Sequence, residues 1–244
     1  MFKEKITFAI NMIPKVIHYC WFGRNPKSDS VLKYIQTWRD KMPDYEIKEW
    51  NEDNFNVDYN AFTREAYYAK KYAFVSDVAR LFALVKEGGI YLDTDIIILK
   101  HFPDKLLRGA GFAGFEHDKY IGTGIIGCEK NNKLIKAFLD SYSDRHFFKN
   151  YKFNTIPNVK YFTSLLMEHG LQANNQFQII DGFGIYPQNI FCCKDCNTLA
   201  YYNDESSLSI HDFAGTWTDN ENSILQKIKI RITEFLTIVK FWYL

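Results

Sequence analysis

Residues 74–100 read FVSDVARLFALVKEGGIYLDTDIIILK, and this stretch decides the fold class. Val75, Val78, Ala79, Phe82 and Val85 recur at helical spacing, and Leu81 and Leu84 widen the apolar face. Gly88 and Gly89 supply a left-handed stop. Ile90–Leu92 and Ile96–Leu99 then form a nearly continuous apolar run. Such a run suits a strand covered on both faces, as in a parallel or mixed α/β sheet. Asp93-Thr94-Asp95 interrupts it. Read as one strand, alternation puts Asp93 and Asp95 on one side and Thr94 on the other. Paired acids in that setting are costly unless neutralised. A divalent cation with a preference for hard oxygen ligands, Mg²⁺ or Mn²⁺, does this. Asp77 and Arg80 lie three apart on the preceding helix and share a face. Two readings stay open for them: a surface ion pair, or a pair reaching the crevice of the acids.

Composition bounds the remaining classes. A chain of 244 residues suffices for one domain with a substantial core. With 47% apolar and 17% aromatic residues it reads as globular, not disordered. Lys plus Arg number 30 against 29 for Asp plus Glu, so no global charge points to nucleic acid. The five cysteines are odd in number, which argues against a full disulfide framework. Cys192, Cys193 and Cys196 cluster, but adjacent cysteines are poor zinc-ligand spacing, so reduced thiols are expected. Lys3 and Lys5 precede an apolar run too short for a secretory leader. No stretch approaches the about 20 apolar residues of a spanning helix. A cytoplasmic protein is expected.

Outward from the central stretch, Lys15–Phe22 reads as a strand ending at Gly23. Ser28 or Asp29 caps a helix running to about Lys41, with Val31, Leu32, Ile35 and Trp38 on one face. Tyr45–Trp50 reads as a second strand, giving a βαβ opening. His18 and Trp21 are placed at and beyond the end of the first strand, where ligands bind in α/β sheets. A ring there stacks on a flat base; core packing is the plainer role for a tryptophan. Asn60–Lys71 is helical. Gly111–Glu116 and Tyr120–Cys128 are two β-segments, with Gly122, Gly124 and Gly127 allowing close backbone approach. Asn131–Tyr142 and Thr163–Gly170 are helices, and Phe177–Tyr186 is a strand region. His211 follows a short strand and precedes Gly215 and Trp217. Ile224–Leu244 alternates Lys227, Lys229, Arg231 and Lys240 with apolar residues. It is either a terminal helix covering the sheet or an amphipathic helix in a membrane interface. The expected organisation is one domain over 1–223 followed by this helix at 224–244.

Four segments occur in a family order: Ile13–Gly23, Ser76–Arg80, Gly88–Asp95 and His211 with Gly215–Trp217. Together they resemble glycosyltransferase family 32, whose core is similar to the glucosyltransferase domains of large clostridial toxins. The resemblance covers roughly Ile13–Trp217. It implies a GT-A fold, meaning a single Rossmann-like α/β domain with a mixed central sheet. It further implies a nucleotide-sugar donor, Mn²⁺ or Mg²⁺, and retention of the anomeric configuration. By the same resemblance Trp21 stacks on the base beside the backbone of Tyr19 and Cys20. Asp77 and Arg80 hold the donor sugar and ribose or phosphate. Asp93 reaches the ribose and a metal-bound water, and Asp95 ligates the metal. Thr216, standing where Ser is commoner, and Trp217 touch the diphosphate. His211 is similar to the C-terminal metal-ligand His of related retaining transferases. A UDP-sugar is favoured over GDP-mannose, and a growing surface glycan or lipid-linked glycan is the expected acceptor. Two other classes carry Asp-x-Asp or an inactive version of it: haloacid-dehalogenase-type phosphotransferases and non-catalytic carbohydrate-binding or scaffold proteins.

Overall fold

The expected βαβ opening is present in the computed structural model, which describes residues 12–117, 119–195, 198, 200–213 and 224–243. Strand β1 (Val16–Cys20), helix α1 (Asp29–Lys41) and strand β2 (Glu46–Trp50) form it, with β1 and β2 parallel. The Ser28 side chain accepts from the Val31 amide and caps α1. Val31, Ile35 and Trp38 are buried on the helix as expected, whereas Leu32 is exposed. Helices α2 (Ala61–Tyr68) and α3 (Tyr72–Glu87) follow. Gly88 and Gly89, at φ 70° and 105°, turn α3 directly into strand β3 (Gly89–Leu92).

The acids do not lie in a strand. β3 ends at Leu92, Asp93–Asp95 form a turn, and strand β4 (Ile96–Ile98) begins after it. The Asp93 amide donates to Gly124 O at 2.8 Å, and the Ile96 amide donates to Asp93 O at 3.1 Å, which closes the turn. The apolar run continues through two different surroundings. β3 sits inside the main sheet, and β4 leaves it to pair with a late strand and pack under α1. Trp38 Nε1 donates to Ile96 O at 2.8 Å, and Thr37 Oγ1 accepts from the Ile98 amide.

Strands β5 (Gly111–His117), β6 (Tyr120–Ile121) and β7 (Ile125–Cys128) come next, then helix α4 (Lys133–Asp140). A short hairpin, β8 (Phe148–Lys149) and β9 (Lys152–Phe153), precedes helix α5 (Asn158–Glu168), which starts one turn earlier than expected. The Phe177–Tyr186 region is a hairpin of β10 (Gln178–Ile180) and β11 (Phe183–Tyr186). Helix α6 (Gln188–Phe191), strand β12 (Ser209–His211) and helix α7 (Ile224–Tyr243) complete the described chain.

The central sheet runs β10-β11-β5-β7-β3-β1-β2, with β6 added on β5. β1, β2 and β3 are mutually parallel; β7 is antiparallel to both β3 and β5, so β5 points the same way as β3. Trp21, Asp93 and Glu116 therefore leave one edge of the sheet, the edge where ligands bind in α/β folds. Alternation along β1 and β3 feeds two cores. Ile17, Tyr19, Ile90 and Leu92 pack with α1 and β4, while Cys20 and Tyr91 pack with α3 and α4.

His18 lies within β1, not at its end, and is fully buried. Trp50 Nε1 donates to His18 Nδ1, so the ring must donate from Nε2 to Gly88 O at 2.7 Å. Burial lowers its pKa, in keeping with a neutral core imidazole. Cys20, Cys128, Cys192 and Cys193 are buried and unbridged. α7 packs on the β8–β9 hairpin and on Tyr68 of α2 through Phe241, which meets Phe148 at 5.2 Å. Among the described residues no helix is long and apolar enough to cross a membrane.

Candidate functional site

Three ligand-type side chains converge at the carboxyl edge. One ligand atom each of Asp93, Asp95 and His211 lies within 4.8 Å of the others. Strand β12 pairs antiparallel with β4 and sets His211 opposite Ile96, next to the acid turn. His211 Nε2 stands 3.2 Å from Asp95 Oδ1, and the Asp212 amide donates to Asp95 O at 3.0 Å. The exit of β12 is tied down by Asp212, whose carboxylate accepts from Tyr34 Oη at 2.5 Å and Lys194 Nζ at 2.6 Å. Nothing in the sequence around Tyr34 or Lys194 marks that role, because neither lies near Asp212 in local sequence: the separations are 178 and 18 residues.

Asp93 is held from below. Tyr91 Oη donates to its Oδ1 at 2.9 Å, and Arg80 Nη1 lies 3.2 Å from the same oxygen. Arg80 is buried, lies over the Tyr91 ring and also donates to Asp77 Oδ1 at 3.0 Å and Thr123 O at 2.8 Å. Asp77 and Arg80 are thus a buried pair reaching the acids, not a surface ion pair. Asp77 accepts a second bond from Asn158 Nδ2 at 2.7 Å, and Thr123 Oγ1 donates to Asn158 Oδ1 at 2.8 Å. Arg80, Asp77, Asn158 and Thr123 close a ring of hydrogen bonds. Asn158 was not legible as a site residue, since it lies in a helix start with no charged neighbour in sequence.

Electrostatics follow from this burial. Desolvation pushes the Asp77 carboxyl up to about 7, with Arg80 pulling the other way. The same burial opposes the charge on His211, yet the Asp95 and Glu116 carboxylates outweigh it and raise the imidazole well above its ordinary value. Burial raises Glu116, aided by Asp93 and Asp95, and its Oε2 lies 4.0 Å from His211 Nδ1. Glu116 is the last residue but one of the long strand β5 and was read only as a strand terminus. It lines a cavity of about 20 Å³ together with Gly122, Gly124, Cys192 and His211. A Cβ at Gly124 would meet Asp93 Oδ2 at 3.1 Å and His211 Cε1 at 3.2 Å, so the expected close backbone approach is used here to admit two ligands.

Two carboxylates and an imidazole are a mixed oxygen and nitrogen donor set that fits a divalent cation. Trp21 follows β1 at the same edge, half-buried, with Nε1 on Asn25 O at 2.7 Å and Lys27 Nζ 5.7 Å above its ring. Tyr19 and Cys20 turn their side chains inward, and Tyr19 Oη donates to Glu49 at 2.5 Å. Only their backbone is left to face a ligand. Thr216 and Trp217 lie outside the described residues.

Residues 28–113 match the family described as the glycosyltransferase sugar-binding region containing DXD motif. The chain is 28% identical over 160 residues to the subversion of eukaryotic traffic protein A of Legionella pneumophila, covering 53% of this chain and 25% of that protein. It thus spans a quarter of that relative's length. It is 25% identical over 203 residues to an uncharacterized glycosyltransferase of Acanthamoeba polyphaga mimivirus, covering 76% of this chain and 77% of that one. Among solved structures, PaToxG glycosyltransferase superposes with a TM-score of 0.52 at 26% identity, covering 65% of this chain and 70% of the other. Residues 28–113 of this chain thus match a DXD-containing glycosyltransferase sugar-binding region, and the chain has an α/β fold of the GT-A type with a mixed central sheet.

Proposed function

We propose that the chain transfers a glycosyl group from a nucleotide-sugar donor to a hydroxyl of a surface-glycan or lipid-linked glycan acceptor, with retention at the anomeric carbon. The observation that carries this reading is the convergence of Asp93, Asp95 and His211 at the carboxyl edge of the sheet. Mn²⁺ or Mg²⁺ held by these three residues would supply charge neutralisation for a departing nucleoside diphosphate.

The chain's own residues have separable tasks. Arg80 fixes the rotamer of Asp93 and balances the negative charge of the acid turn. Asp77, with 12% of its side chain exposed, braces Arg80 from the floor of the ring. Trp21 offers a ring face to the base, and its indole is already oriented by Asn25. For a retaining reaction, the described residues offer no ready nucleophile for a double displacement. Asp77 is committed to Arg80 and Asn158, and Glu116 is held toward its neutral form by burial. Attack by the acceptor hydroxyl on the face of the departing phosphate then remains. A product of inverted configuration, read by the anomeric coupling in its NMR spectrum, overturns that step.

The phosphotransferase alternative needs the first acid of the pair free for attack. Asp93 is instead bound by Tyr91 and Arg80. The test is calorimetric binding of UDP and GDP, each with Mn²⁺ and with chelator, to the wild type and Asp95→Ala. Metal-dependent binding of UDP, lost in the variant, is expected. GDP binding in its place reassigns the donor, and binding of neither refutes the transferase reading.

A further inference from the structure

Helix α7 is apolar on two opposite faces, and only one of them is covered. Inward, Ile238 is buried and Phe241 packs on Phe148 and Tyr68. The helix's one acid, Glu234, also turns inward, where it pairs with Arg231 at 2.6 Å and accepts from the Phe153 amide. Outward, Ile232, Phe235, Leu236 and Trp242 are 54%, 48%, 59% and 58% exposed. Their spacing, with half-buried Val239 between, places them on one stripe. Exposed Lys229 and Lys240 border that stripe. The β8–β9 turn extends it: Tyr151, 66% exposed, lies 5.7 Å from Phe235, with exposed Lys149 and Lys152 on either side.

An apolar stripe with aromatic rings, bordered by lysines and facing outward without an acid, is complementary to an anionic lipid surface. A second copy of this chain fits it less well. An isologous pairing would bring the lysine borders of two copies together. The helix is not apolar enough to span a bilayer, so the fitting geometry is a helix lying in the interface plane.

We propose that the outer face of α7 and the β8–β9 turn dock the protein on an anionic membrane. The docking face is independent of the transferase reading and places the chain where a lipid-linked acceptor would be found. The test is flotation of the full chain with vesicles of phosphatidylcholine, with and without phosphatidylglycerol, at low and high salt. Two double variants accompany it: Leu236→Glu with Trp242→Glu, and Lys229→Glu with Lys240→Glu. Partition onto anionic vesicles is expected to exceed that onto neutral ones by at least about tenfold and to fall with salt. Each double variant should lose about tenfold or more, with the thermal midpoint and calorimetric nucleotide binding unchanged. Absence of partition onto either vesicle overturns the proposal. So does a lowered thermal midpoint in the glutamate variants without vesicle binding, which would mean the chain itself covers this face. A concentration-dependent dimer in sedimentation, abolished by the same variants, assigns the face to a second copy instead.

Discussion

His211 Nε2 stands 3.2 Å from Asp95 Oδ1, held there by the pairing of β12 with the sequence-distant strand β4. Replacing His211 by Ala leaves both acids and the strand pairing in place, because that pairing uses backbone groups. Removing a ligand should cost at least as much as losing an outer-shell partner, about 10–100-fold in metal affinity. Mn²⁺-dependent UDP binding to His211→Ala is therefore expected to weaken by about that factor in calorimetry. The chelator-treated baseline should match the wild type, and His211→Asp should recover part of the loss. Equal Mn²⁺ dependence in wild type and His211→Ala would remove His211 from the metal set.

Asp77 couples stability to pH. Its carboxyl rises from an ordinary value of 3.8 to about 7 through burial, against the pull of Arg80. A raised acid favours the folded state in its neutral form. Its contribution is fully present below about 4 and is lost as pH rises through about 7. Asp77→Asn mimics the neutral form at every pH. Its thermal midpoint relative to wild type should thus climb between pH 5 and pH 8.5, while nucleotide binding falls. A midpoint difference independent of pH across that window would show that Asp77 stays ionised when folded.

Gly124 packs its backbone against the candidate metal-ligand set. An added Cβ would come within 3.1 Å of Asp93 Oδ2 and 3.2 Å of His211 Cε1, so one or both ligands must shift. Misplacing reacting groups by an ångström costs roughly 10²-fold in rate. Gly124→Ala should keep its circular dichroism and lose turnover on that scale, measured as donor hydrolysis with Mn²⁺. Unchanged turnover would mean that the ligand set accommodates the methyl group.

Local pattern disclosed the elements and long-range contact decided the site. The period of Val75–Leu84 and the double glycine located α3 and its stop to within a few residues, since both signals are written in neighbouring positions. The run through Asp93–Asp95 misled because apolar residues on both sides look alike, although β3 is covered by sheet and helices and β4 by α1 and β12. His18 shows the same limit. A histidine near a strand end suggests a ligand, but the acceptors and donors that satisfy it, Gly88 O and Trp50 Nε1, are distant in sequence. Asp77 with Arg80 was legible as a pair because three residues separate them. Thr123 and Asn158, which complete their ring, come from other elements and carry no charge that would draw notice.

Asn158 is the least conspicuous member of that ring and tests it most directly. Its amide donates to Asp77 and accepts from Thr123, so it uses both polarities at once. Asn158→Ala removes both bonds and should destabilise by about 1–3 kcal/mol in urea unfolding. Asn158→Asp is worse at neutral pH, because it sets a second acid against Asp77 and removes the donor. A buried charge left without a partner costs about 3–5 kcal/mol. Below the pH at which the new carboxyl takes a proton, it regains a donor, and the gap to wild type should narrow. Nucleotide binding should follow stability only in part: Arg80 keeps its contact with Asp93 in both variants, so Mn²⁺ dependence is retained while affinity drops. A variant as stable as wild type at pH 8 would show that the ring contributes geometry without energy, and loss of Mn²⁺ dependence would place Asn158 closer to the metal ligands than its hydrogen bonds indicate.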